Sequence, residues 1–531
     1  MSATPARTIG VLGAGTMGAG IAQLAAQSGA RTLLHDPIGD ALECGLESIR
    51  AALARSAERG RLAPDDADAA AGRLEAAPSI DALADCELVI EAAPERLELK
   101  HELFGALESI VSERCVLATN TSSLPIAALA GVCARPQRVV GMHFFNPAPV
   151  MRLLEVVAGP DSDAVALELA RATGRAMARH VIDAADGPGF LVNRCNRPFG
   201  LEALRLVSER IAEPEQVDRI CRVGGGFRMG PFELMDLVGI DTGLEVARSF
   251  FAQSFGEPRW RPSPLTARMV AAGRLGRKTG RGFYDYRGGP HRPEDPELPA
   301  GGGGGAGPLA IIGGGVHAEA LRAGAGAAGW TLADPERTSE EPAWLVVDCV
   351  GGALEDDAAW QSGPRVVLCA EGSLGMLDPA GSAVGFYTLP SSGLVELTRT
   401  QTSSALASQR AVEFFGSLGR LAEWVGDAPG LVLGRIVCQL ANEAAFAVGE
   451  GIGTPADVDA GMRLGLNHPV GPLARADALG LDHVLELLEG LGEEYREERY
   501  RPAPLLRRHV LAGRLGESTG AGFHDPTPSA G

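Results

Sequence analysis

Lysine is almost missing from this chain. Of 531 residues only Lys100 and Lys278 are lysine, and the rest of the positive charge is arginine. That bias reflects coding composition more than chemistry, so the position of a surviving lysine is informative. Paired cysteines are missing too: nine are scattered, an odd count with no C-x-x-C spacing, which offers no disulfide framework or zinc site and fits a reducing cytoplasm. No uninterrupted apolar run is long enough to span a bilayer. The opening "MSATPARTIGVLGAG" enters a strand-like segment with no apolar signal region before it. A net charge of −19 argues against general nucleic-acid or anionic-membrane binding, while a local basic pocket for a phosphate-bearing ligand stays open. Hydrophobic and charged fractions of 45 % and 22 % are those of an ordinary globular protein. The length divides into roughly three to five domains at about 100 to 200 residues each.

The chain repeats itself. "DGPGFLVNRCNRPFGLEALRLVSERI" from Asp186 aligns with "DAPGLVLGRIVCQLANEAAFAVGEGI" from Asp427, and both copies run on to a shared ending, "GRLGRKTGRGFYDY" against "GRLGESTGAGFHD". Apolar spacing of three to four residues reads as helix in both. Each copy follows a strand–glycine–helix opening. The expectation is a duplicated α/β-plus-helical unit: an α/β domain over 1–185, helices over 186–286, a Pro/Gly-rich flexible tether over 287–307, a reduced α/β domain over 308–426 and helices over 427–525.

In "GVLGAGTMGAG" the run Ile9 to Leu12 leads into Gly13-x-Gly15-x-x-Gly18 and then a small-residue helix. Glycines suit a tight turn, a backbone approaching a pyrophosphate, and close helix–strand packing, with the helix N-terminus facing the negative charge. Asp36 follows about 20 residues on, at the end of the next apolar strand. An acid there accepts from ribose hydroxyls and repels a 2′-phosphate, which favours NAD over NADP. A ligand-free glycine turn is the bland alternative. The middle copy, Gly313-x-Gly315-x-x-Ala318, keeps the outline and an acid, Asp334.

Four further segments carry chemistry: "VIEAAPERLELK" ending at Lys100, "LATNTSSLPI" from Leu117, "GMHFFNPAPVMRLLEVV" from Gly141 and "GPGFLVNR" from Gly187. With the glycine turn, and in this order over about residues 7–286, they resemble the 3-hydroxyacyl-CoA dehydrogenase family. The resemblance implies a Rossmann domain with an all-α C-terminal domain, NAD as cofactor and an acyl-CoA substrate. It implies His143 as general acid/base with Glu155 as its carboxylate, Ser122 and Asn193 at the substrate 3-oxygen, and Asn146 in the same motif. NAD would be held around Gly13, Gly15, Thr16, Met17, Gly18, Asp36, Glu95, Lys100 and Asn120.

Those residue types suit the reaction. A histidine takes or returns a hydroxyl proton near neutral pH as hydride leaves the same carbon. A carboxylate on its other nitrogen sets the tautomer. Serine and asparagine direct hydrogen bonds at an oxygen that gains charge, and with a nicotinamide carrying the redox step no metal is required. Each residue also has a plainer reading: His143 as a buried core histidine, Glu155 as a helix cap, Ser122 as part of a turn, and Asn193 bonded locally after the helix start at Pro188.

The second copy is an internal comparison. "TNTSSL" becomes "AEGSL", "GMHFFNP" becomes "GFYTLP" with Tyr387 nearest the histidine, and Gly434 stands where Asn193 would be, while Glu396 persists. The second unit is expected to be catalytically silent, its helices completing the fold within one chain as a pseudo-dimer, unless the chain forms a homo-oligomer. The expected activity is oxidation of (S)-3-hydroxyacyl-CoA at one site in the cytoplasm, with no hydratase-like domain ahead of the glycine turn. By resemblance, 3-hydroxybutyryl-CoA or 3-hydroxyadipyl-CoA in fatty-acid or phenylacetate-type catabolism are the candidate substrates. A CoA-independent gulonate-type dehydrogenase and a non-catalytic NAD-binding protein are the alternatives.

Overall fold

The computed structural model describes residues 4–305, 307–333, 342–350 and 363–525, so Asp334 lies outside the described residues. The chain divides into two compact units, residues 1–194 with 450–466, and residues 195–449 with 467–531.

The first unit is built on an eight-stranded sheet: β1 (Thr8–Leu12), β2 (Arg31–His35), β3 (Leu74–Ala76), β4 (Leu88–Glu91), β5 (Val116–Thr119), β6 (Val139–Phe144), β7 (Leu153–Ala158) and β8 (His180–Ala185). The spatial order is β3-β2-β1-β4-β5-β6-β7-β8, and every pair is parallel except β6 with β7. Central strands such as "TIGVL" and "VLAT" are apolar almost throughout because both faces are covered. Strand order reverses between β1 and β4, and the crevice at their carboxyl ends is where open α/β sheets take ligands. The glycine turn follows β1 there, and Glu91 ends β4.

The second unit carries the reduced counterpart: β9 (Leu309–Ile312), β10 (Leu345–Asp348), β11 (Arg365–Leu368), β12 (Val384–Tyr387), β13 (Leu394–Thr398) and β14 (Leu421–Trp424). Their order β14-β13-β12-β11-β10-β9 repeats that of β8 back through β4 to β1, again with one antiparallel pair, β12 with β13. A single bridge from Leu309 to Leu332 marks the place of a β2 equivalent. The tandem α/β-plus-helical duplication expected from the sequence is present.

Both helical repeats contribute to the second unit. The helix Leu433–Gly449 is buried on nearly every face, its polar Arg435, Asn442 and Glu443 included because each finds a partner, and it packs on the helix Arg197–Ser208. Arg435 is completely buried. Its guanidinium meets Glu202 at 2.9 Å and Glu209 at 2.7 Å, and donates to the Tyr500 hydroxyl at 2.6 Å. Ion pairs cross reciprocally between the repeats: Arg259 with Glu443, and Arg499 with Glu202.

The Pro/Gly-rich stretch departs from the free tether expected of its composition. It forms no helix or strand, yet Asp295 holds Arg222, His291 and Arg292 hold Glu233, and Gly302 and Gly304 donate to Ser417 and Ala328 carbonyls. Charged residues among the prolines supply anchors that a composition argument overlooks.

Two segments cross between repeats. Residues 450–466, from the second helical repeat, belong to the first unit, where Ala185 at the end of β8 donates to the Ile452 carbonyl at 2.8 Å. In the second unit the same bond runs from Gly426 to Ile211 of the first repeat, at 2.6 Å. Among the described residues no helix is long and apolar enough to cross a membrane.

Replacing Arg435 by methionine removes the fully buried cation that Glu202 and Glu209 share and leaves them only Arg499 and Arg205. The variant should lose about 3 to 5 kcal/mol of stability in chemical denaturation of the full chain.

Candidate functional site

The glycine turn is shaped by steric demand. Gly13 has φ +95°, and a Cβ there would lie 2.6 Å from the Ala92 carbonyl oxygen, while one on Gly18 would lie 1.8 Å from the Gly13 oxygen. Around Gly15 a Cβ would meet nothing within 4 Å. The first and third glycines are therefore required by the turn and the helix–strand contact, and the second leaves an open cradle at the start of the helix Thr16–Gln27, which has no side-chain cap. That uncapped N-terminus and open cradle fit a pyrophosphate. Thr16 is exposed and Met17 half-buried at the same end. Asp36 holds the loop: its carboxylate accepts from the Ala14 amide at 2.9 Å and the Ile38 amide at 3.0 Å.

Lys100, expected as a cofactor-lining residue, is only 1 % exposed. Its ammonium donates to both oxygens of fully buried Glu91, at 2.7 and 2.8 Å, and lies 3.2 Å from Glu95. Glu91 also accepts from the Thr119 hydroxyl at 2.7 Å. Glu95 gathers the turn after β5, accepting from the Thr121 and Ser123 hydroxyls and from the Ser122 and Ser123 amides. Burial works to raise the Glu95 carboxyl, but the Lys100 ammonium and those two hydroxyls outweigh it and hold it below its ordinary value. Lys100 thus acts on the crevice through Glu95. Glu91, absent from the sequence expectations, is the partner that lets a lysine be buried. A carboxylate ending an apolar strand nine residues before the lysine was the available signal.

The turn leaves Ser122 exposed, its hydroxyl without a protein partner among the described residues. Asn120 is spent in part on structure, accepting from the Phe144 amide at 2.9 Å. Asn146 is exposed, just past β6.

His143 and Glu155 face each other directly in the antiparallel register of β6 and β7. His143 Nδ1 lies 2.6 Å from Glu155 Oε2, with His143 5 % exposed and Glu155 fully buried. The Glu155 carboxylate makes Nδ1 the protonated nitrogen, so neutral His143 keeps its lone pair on Nε2. Phe145 and Phe190 pack against the ring, with centroids at 4.6 and 5.9 Å. The other Glu155 oxygen accepts from the Leu191 and Val192 amides at 3.2 and 3.0 Å, at the start of the turn that carries Asn193. Glu155 is both the histidine's partner and a helix cap. Asn193 is half-buried, with no hydrogen bond to its side chain among the described residues.

The second unit repeats this frame without the histidine and the asparagine. Glu396 faces Tyr387 in the same register and accepts from the Val432 and Leu433 amides at 2.7 and 3.0 Å. Tyr387 is fully buried, and a Cβ on Gly434 would lie 2.5 Å from its ring. The two differences are sterically linked: the tyrosine fills the space that an asparagine at position 434 would need. Its hydroxyl lies 3.2 Å from His483 Nε2. At the second glycine turn a cavity of about 580 Å³ is lined by Gly313 to Gly315, and also by Glu319, Asp482, Glu486 and Glu517, with no arginine or lysine among the described lining residues. Carboxylates at that turn oppose a pyrophosphate.

The 3-hydroxyacyl-CoA dehydrogenase NAD-binding domain family matches residues 8–187, and the C-terminal domain family of the same enzymes matches twice, at 189–286 and 430–526. The chain belongs to the 3-hydroxyacyl-CoA dehydrogenase family. It is an NAD-dependent enzyme of that family with a doubled C-terminal domain. It is 36 % identical to the 3-hydroxyadipyl-CoA dehydrogenase of Escherichia coli K12, over 95 % of this chain and 98 % of the relative. It is 40 % identical to a probable 3-hydroxybutyryl-CoA dehydrogenase of Bacillus subtilis, over 53 % of this chain and 97 % of that protein. The crystal structure of an E. coli K12 3-hydroxybutyryl-CoA dehydrogenase superposes with a TM-score of 0.81 at 34 % identity, covering 96 % of this chain and 98 % of that one.

Burial pushes the Glu396 carboxyl up to about 8 from an ordinary 4.5, against its two amide donors. The folded chain then binds that proton more tightly than the unfolded chain, so this group's contribution to stability is full below pH 4.5 and is lost as pH rises through about 8. Glu396→Gln should remove that part of the slope of melting temperature against pH. Calorimetric titration with NADH should find one site per chain, because Glu319, Asp482, Glu486 and Glu517 crowd the second glycine turn with negative charge.

Proposed function

We propose that the chain interconverts (S)-3-hydroxyacyl-CoA and 3-oxoacyl-CoA at one site, with His143 as the general acid/base. The observation that carries this reading is the His143–Glu155 pair, which commits Nδ1 to the carboxylate and leaves Nε2 as a base. Bound NAD supplies the hydride acceptor. His143 Nε2 takes the hydroxyl proton in the oxidative direction and returns it in reduction. Glu155 stabilises the imidazolium that forms and keeps the ring oriented. The unpartnered Ser122 hydroxyl and Asn193 amide donate to the substrate 3-oxygen, stabilising the charge that gathers there. Asp36 and the first glycine turn select NAD. Similarity to a 3-hydroxyadipyl-CoA dehydrogenase and to 3-hydroxybutyryl-CoA dehydrogenases supports 3-hydroxyadipyl-CoA or 3-hydroxybutyryl-CoA as the substrate. The reciprocal ion pairs and exchanged segments support one chain acting as its own pseudo-dimer.

Steady-state reduction of acetoacetyl-CoA by NADH tests this. His143→Ala should lower kcat by about 10²- to 10⁴-fold with the NADH affinity retained. Unchanged turnover in that variant, or a preference of the parent enzyme for free hydroxy acids over CoA thioesters, would refute the assignment.

A further inference from the structure

We infer that residues 450–466 of the second repeat are a positioning element for the His143–Glu155 pair, so that the silent half of the chain sets the geometry of the active half. This rests on the proposed role of that pair.

The segment enters the first unit through an ion pair between Glu450 and Arg194 at 2.8 Å and the Ile452 carbonyl at the end of β8. It continues as the helix Pro455–Leu466. Three of its glycines touch the residues that hold the pair. A Cβ on Gly453 would lie 2.6 Å from Leu191 Cδ2, and one on Gly461 would lie 2.6 Å from Val192 Cγ2 and 3.0 Å from Ile182 Cδ1. At Gly465 it would lie 2.8 Å from Leu153 Cδ2 and 3.2 Å from the Phe145 ring. Leu191 and Val192 are the residues whose amides fix Glu155, and Phe145 is the ring packed on His143. Close-packed interiors transmit such displacements instead of absorbing them.

The second unit supplies a control. There Gly224, from the first repeat, stands where Gly465 stands in the first unit. A Cβ on it would lie 3.2 Å from Leu433 Cδ2 and 3.5 Å from Leu394 Cβ, beside Glu396. The glycine is kept at this one position of both seams, whereas Ala212 and Ile220 stand where Gly453 and Gly461 do, and only in the first unit does the seam back a histidine.

The test is made in the full-length chain. Gly461→Ala should lower kcat roughly tenfold or more, as small misplacements of a catalytic group do, while the KM for NADH stays at the parent value. Val192→Ala, which removes the methyl groups that the new Cβ meets, should restore kcat in the double variant. Gly224→Ala, at the position that answers to Gly465 and away from His143, should leave kcat unchanged. The inference fails if Gly461→Ala keeps kcat within about twofold of the parent, if the double variant is not rescued, or if Gly224→Ala loses as much. Should Gly461→Ala not fold, Gly465→Ala takes its place under the same kcat criteria, with Leu153→Ala as the rescuing change, since Leu153 Cδ2 is the atom the new Cβ meets first. Loss of activity in His143→Ala together with an unaffected Gly461→Ala would reject this inference and leave the proposed chemistry intact.

Discussion

Glu155 binds in two directions. One carboxylate oxygen lies 2.6 Å from His143 Nδ1, and the other accepts from the Leu191 and Val192 amides at the start of the turn carrying Asn193. The strand bearing the histidine, the strand bearing the carboxylate and that turn are thereby tied at one buried point. A buried carboxylate is tolerated only when its oxygens are satisfied. The helix N-terminus, with its unpaired amides, and the imidazole together meet that demand. The imidazole and the turn share one carboxylate, so Glu155 caps the turn as well as holding the histidine ring.

The duplication separates the two roles. Glu396 keeps the amide contacts but loses the imidazole, and Tyr387 closes over Gly434. Capping the turn therefore does not need the histidine. The carboxylate is present in both copies and meets the turn amides in both; the histidine is present in the first copy alone. The second unit still keeps its exchanged segment and its share of crossed ion pairs, which are contributions to the other repeat that do not depend on its own site.

A second buried centre, Glu91 with Lys100 and Glu95, follows the same logic on the other side of the crevice. An ammonium that is 1 % exposed would be prohibitive without the two carboxylates around it. Paired, it directs Glu95 to the turn that leaves Ser122 free. Lys100 stood out in a chain nearly devoid of lysine, but its partner and its distance from solvent could not be read from that scarcity.

The order of motifs, the glycine spacing and the internal repeat are local or periodic features, and they determined the fold class, the cofactor and the family without a structure. Strand and helix carry their signatures in neighbouring residues, so those survive in a one-dimensional reading. What only the tertiary structure decided joins residues far apart in the chain: Glu155 on the Leu191 and Val192 amides, Glu91 on Lys100, Tyr387 against Gly434, and the passage of 450–466 into the first unit. Pro and Gly predicted a free tether over 287–307, yet Asp295, His291 and Arg292 pin it, because an anchor is defined by its distant partner as much as by its own residue type. Contacts of that kind depend on which surfaces the packed elements bring together, and no short window of sequence contains both sides.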